Sequence, residues 1–141
     1  MIQISSAFAL AFVLLSALLG FFGNGPVYLI AYGTVCIWAA HISLTFAYAY
    51  FKNRDNLALA MAVSWAGTAT VQGWWWVFNL FGNPGWMIGH WGLYVGIALY
   101  MAGQYHHFRT FRMTLNLPRG ADWAALVSGF AISLTAYLIW G

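Results

Sequence analysis

Charge is what this chain has least of. Its 141 residues include five Lys and Arg and two Asp and Glu, 5% in all, where a soluble domain carries about a quarter. A soluble fold would have little with which to cover its surface. The charges fall in two short stretches, Lys52, Arg54 and Asp55 in one, Arg109, Arg112, Arg119 and Asp122 in the other. A charge at the centre of a bilayer costs several kcal/mol, so charges gather where a chain returns to water. The uncharged tracts between them are far longer than the roughly 20 residues that cross a hydrocarbon core. Of all residues 63% are hydrophobic, and the mean hydropathy is +0.75. This is the charge map of a polytopic, all-α integral membrane protein.

Other absences narrow the chemistry. The single cysteine, Cys36, excludes an intrachain disulfide and has no spaced partner for a zinc site, while the adjacent His106 and His107 point to different faces of a helix. No acidic residue falls within an apolar tract, which argues against transport coupled to protons or cations. No Lys is placed for a retinal Schiff base. P-loop, nucleophile elbow, H-E-x-x-H and dinucleotide fingerprints are missing. The expectation is a protein that is not an enzyme and needs no metal or other cofactor.

What is present begins with punctuation. Gly23-Asn24-Gly25-Pro26 and Gly82-Asn83-Pro84-Gly85 carry turn chemistry, because Gly tolerates positive φ and Pro cannot continue a helix interior. With the two charged stretches they divide the chain into five predicted helices, residues 2–22, 27–51, 57–81, 86–107 and 123–140. Tight hairpins are expected at the Gly/Pro breaks and charged loops at 52–56 and 108–122. Counting crossings puts all five Lys and Arg on one side. By the positive-inside rule that side is cytoplasmic, giving an N-in, C-out topology. A signal peptide at the first segment is disfavoured, since it lacks a basic n-region and an A-x-A site. The chain then forms one multi-pass transmembrane domain, in a bacterial inner membrane or a phage or virion membrane.

Aromatic and small residues sort by position. Trp74, Trp75, Trp76, Trp86, Trp91 and Trp140 lie toward the outer ends of their helices, as an interfacial belt would. A stacking platform for a pigment, quinone or sugar is the functional alternative. In the third helix Ala58, Ala62, Ala66, Ala69 and Gly73 recur at steps of three and four, and in the fourth Gly85, Gly89, Gly92, Gly96 and Gly103 form a similar stripe. Such stripes let backbones approach closely in lipid, where hydrophobicity gives no drive to associate. They either pack one bundle or, for the fourth helix above all, bind a neighbouring subunit.

A few polar residues remain inside the spans. His41 lies about 16 Å from Lys52 by helical rise, and Thr68 comes out at about the same depth. A hydrogen bond from His41 to Thr68 or Ser64 is expected, with Gln72 joining the patch. A b-type haem needs axial ligands on facing helices at compatible depth. His41 and His90 are about 14 Å apart in depth, and His41 and His106 roughly 9 Å, so haem fits poorly.

The segment from His106 to Arg112, continued by Arg119, is the most distinctive water-facing feature. Its cations are expected to meet anionic lipid headgroups, each worth about 1 kcal/mol near the surface, or to dock an acidic partner. The net charge of +3 and pI of 9.3 argue for an anionic membrane surface before nucleic acid. Three functional classes follow. The leading one is a non-enzymatic membrane-embedded subunit or anchor of a larger assembly, bound to other membrane subunits or to itself. The second is a self-assembling, holin-like pore, favoured by the glycine stripes and opposed by the lack of a polar helix face. The third is a haem- or quinone-binding electron-transfer subunit, resting on His41, His90 and the aromatic belt.

Overall fold

A computed structural model describes residues 2–140, with side chains described over 9–139. The chain folds into α1 (Ile2–Phe22), α2 (Asn24–Asn53), α3 (Asn56–Leu80), α4 (Trp91–Thr114) and α5 (Ala121–Trp140), with one 3₁₀ turn at Gly85–Met87. No strand occurs among the described residues. Two of the helices, over Asn24–Asn53 and Ala121–Ile139, are long and apolar enough to cross a membrane, and α1 adds a shorter apolar tract, Ala9–Phe22. By length and composition, therefore, two of the five expected spans qualify as candidates. Helices α3 and α4 are diluted by Gly, Ser, Thr and Gln, and α4 also carries Arg109 and Arg112 into its last turns.

Helices α2, α4 and α5 are longer than the sequence suggested, and every connection except that between α3 and α4 is shorter. Between α1 and α2 the break is Gly23 alone, at φ 74°. Gly25 and Pro26 lie inside the first turn of α2, where a missing N–H costs nothing because that group has no intrahelical partner. Between α2 and α3 the connection is Arg54-Asp55. Arg54 takes the left-handed conformation at φ 57° and donates its N–H to the Tyr50 carbonyl, while the Asp55 carboxylate accepts from the Leu57 N–H at 2.9 Å. Two of the seven charged residues thus close helix ends.

The fourth helix shows the largest difference. It starts at Trp91 and not at residue 86, because the 3₁₀ turn at Gly85–Met87 intervenes and His90 then caps α4 by accepting the Gly92 N–H on Nδ1 at 3.1 Å. It continues to Thr114, seven residues beyond the expected end at 107. The stop is Asn116 at φ 54°, with Leu117 N–H returning to the Arg112 carbonyl at 3.0 Å, a left-handed helix terminus that Asn tolerates. Arg109 and Arg112 are therefore helical, and the expected loop at 108–122 contracts to 115–120.

Helix α3 is the centre of the molecule. It packs extensively on α2 along one side and α4 along another, whereas α1 touches α2 and α5 touches α4 sparsely. The core is made mostly of small residues: Ala39, Ala58, Ala60, Ala62 and Ser64 are buried with Gly33, Gly67, Gly96 and Gly103, joined by Val27, Met87 and Leu93, and among the described residues no large side chain is fully buried. Large apolar side chains face outward instead, among them Leu10, Phe12 and Phe21 on α1 and Val127, Phe130 and Ile132 on α5.

Candidate functional site

Helix stripes, polar groups and charges meet in three places, of which the first is the α3–α4 seam. A Cβ on Gly103 would stand 2.7 Å from the Ser64 Cα and 2.8 Å from the Val63 carbonyl oxygen, and one on Gly67 would collide with the Tyr100 Cα. Further along, Gly96 faces the Thr70 methyl at 3.1 Å and Gly92 faces the Trp74 ring at 2.9 Å. Antiparallel backbones meet here as closely as helices can, and only Gly fits at the crossing. The glycines of α4 are thus occupied within the chain by α3. Gly89 is different, lying in the turn before α4 with open space around it.

On its other side α3 meets α2 through Gly73 against the Cys36 sulfur, Trp76 over Gly33, and the buried Ala62, with Ala66 half-buried nearby. Ser43 donates to the Ala62 carbonyl at 2.8 Å, and Cys36 to that of Ala69 at 3.4 Å. Helix α3 therefore carries two small-residue stripes. One was legible as Ala58, Ala62, Ala66, Ala69 and Gly73; the other, through Ala60, Ser64 and Gly67, faces α4 and was missed because a single-face reading stops at the first regular stripe.

The polar patch differs from expectation. His41 is exposed and its Nδ1 lies 2.8 Å from the Ile37 carbonyl of its own helix. Thr68 donates back to the Ser64 carbonyl at 3.1 Å, so the expected bond from His41 to Thr68 or Ser64 is not formed. The partner of the Ser64 hydroxyl is Gln104, which donates from Nε2 at 2.8 Å. Gln72 is half-buried and lies eight residues beyond Ser64 on α3, just over two turns away. The interhelical bonds come from Cys36, Ser43 and Gln104 because they lie on the facing sides, whereas His41 is exposed.

The second place is an aromatic cluster at the start of α4. The His90 ring stacks on Trp74 at 5.7 Å and 24°, stands edge-on to Trp86 at 5.6 Å, and lies 5.4 Å from Trp91. With Nδ1 occupied by the cap hydrogen bond, Nε2 is the ring nitrogen left to face a further partner. Trp86 and Trp91 are exposed, while Trp74, Trp75 and Trp76 are half-buried and help pack the helices. The Trp140 side chain lies outside the described residues.

The third place is the basic end. Arg112 Nε lies 3.4 Å from Asp122 Oδ2, and the two side chains are 15% and 6% exposed. This ion pair and the Tyr105–Trp123 ring contact at 6.1 Å tie the start of α5 to α4. Asp122 Oδ1 also accepts the Trp123 N–H at 3.1 Å. Arg109 and Arg119 are exposed to either side. Sequence reading grouped the three arginines but did not pair Arg112 with Asp122, since nine residues of unknown conformation separated them. Among the described residues no group of three or more His, Cys, Asp or Glu converges as metal ligands would. No protein-family model, curated protein or solved structure matches the chain.

Proposed function

We propose that the protein is a non-enzymatic, membrane-embedded subunit or anchor that crosses a bacterial inner membrane, or a phage or virion membrane, five times with its N-terminus inside and C-terminus outside. The observation that carries this reading is the inverted distribution of side chains. Glycine, alanine and Ser64 supply most of the buried positions, joined by Val27, Met87 and Leu93, while many Phe, Leu, Ile and Trp side chains are exposed. A soluble monomer rarely exposes apolar patches beyond a few hundred Å². In lipid the same surface needs no cover, and small-residue contact supplies the packing.

A rigid three-helix core with two lightly attached outer helices suits an assembly role. Helices α1 and α5 each meet the core along one edge and leave broad apolar faces for spans of a neighbouring subunit. The glycines that favoured a self-assembling pore are occupied by α3, which weakens that alternative. The test is extraction in mild detergent from the native source, followed by native mass spectrometry. A second membrane chain at fixed stoichiometry is expected. Only multiples of 15.7 kDa would favour the pore, and a bare monomer would reject the assembly role.

A further inference from the structure

Helices α4 and α5 diverge above their contact at the loop end and leave a groove of about 700 Å³ between them. Its walls are apolar for most of their length, formed by Met101 and Phe108 on α4 and Ala125, Gly129 and Phe130 on α5. From Asp122 to Ser133 it runs about 16 Å along α5 at 1.5 Å per residue. The volume lies within the roughly 300–1,000 Å³ range of ligand sites. A second hollow, of about 540 Å³, opens beyond the end of α4 and is lined by Arg112, Asn116 and Arg119 among others. The two are joined through the ion pair: Asp122 lines the groove, Arg112 lines the hollow, and their charged atoms are 3.4 Å apart. The Arg112 Nε is buried without a well-directed hydrogen bond.

We propose that this composite site binds one anionic phospholipid, its phosphate held by Arg112 and Arg119 and an acyl chain laid in the α4–α5 groove. The occupant follows from charge and shape together. Asp122 neutralises Arg112, which leaves the exposed Arg119 as net positive charge in the hollow. The guanidinium of Arg112 presents donors beyond the one facing Asp122, and a phosphate accepts such forked donors. The groove starts at the charged end and descends into apolar surroundings, as a lipid does. Ser133 and Gln104 lie at its walls but add little polar character, so a soluble anion would use the hollow and leave the groove empty. The bound lipid would complete the seam between α4 and α5 that protein contacts leave open.

This inference rests on the membrane reading, and the experiment separates the two. The full chain is first tested for resistance to alkaline carbonate; release from membranes would overturn the membrane reading itself. The detergent-purified protein is then mixed with equal amounts of dioleoyl phosphatidylglycerol and dioleoyl phosphatidylcholine and weighed by native mass spectrometry. One retained phosphatidylglycerol is expected, with little phosphatidylcholine. Arg119→Gln should cut retention about fivefold, the effect of the roughly 1 kcal/mol that a cation contributes near a membrane surface. Gly129→Leu should abolish it by filling the groove, and a Cβ there meets nothing within 4 Å, so the backbone is undisturbed. Equal retention of both lipids, no retained lipid, or unchanged binding in Gly129→Leu would overturn the proposal. So would a second copy of the chain in the lipid's place.

Discussion

Single side chains decide how closely α3 and α4 approach. Gly67 and Gly103 each oppose backbone atoms of the other helix, so an added methyl has nowhere to go without moving a helix. Gly67→Ala and Gly103→Ala should each cost about 1–3 kcal/mol by overpacking, seen as a lowered thermal unfolding midpoint in mild detergent. Gly129→Ala is the internal control. It meets open space and should leave stability unchanged or raise it by up to about 1 kcal/mol through helix propensity. The part-buried Gln104–Ser64 bond makes a smaller contribution. Gln104→Leu should cost about 0.6 kcal/mol, the average for interhelical hydrogen bonds in membranes. The Ala and Gly spacing made one face of α3 legible. The second face was hidden because Ser64 and Gly67 lie off that stripe, and their partners are known only once α4 is placed in register.

Helix ends and attachments depend on contacts that sequence punctuation only partly announces. The Gly/Pro breaks fell near the true turns, and Asp55 is a common capping residue type. His90 was harder to foresee, because imidazole caps are uncommon and the Trp86 to His90 stretch is apolar enough to resemble helix. Asn116 was the available signal for the end of α4, one that Pro118 and the nearby charges obscured. The attachment of α5 rests on Arg112 and Asp122, both largely buried. Arg112→Met or Asp122→Leu alone should loosen α5, costing about 3 kcal/mol because each leaves a lone buried charge. The double variant should be milder than the sum, a coupling readable as hydrogen-exchange protection of α5 in a double-mutant cycle.

The molecule as a whole is a three-helix, small-residue core with two apolar outriders, basic at one end and aromatic at the other. Its helical, apolar character was legible in a composition with only seven charges, since that pattern needs no tertiary information. How the chain packs was not, because its interior is set by which small residues oppose each other, and that depends on helix register. The same charges fix the orientation expected of the five helices. In a chain carrying Cys36→Ser, single cysteines placed at Asn53, Asn83 and Asn116 report the side on which each connection lies. A membrane-impermeant maleimide applied outside intact cells should label Asn83→Cys and leave Asn53→Cys and Asn116→Cys unlabelled until the membrane is opened. Labelling of Asn83→Cys and Asn116→Cys from the same side would mean that α4 does not cross, and the five-span architecture would be wrong.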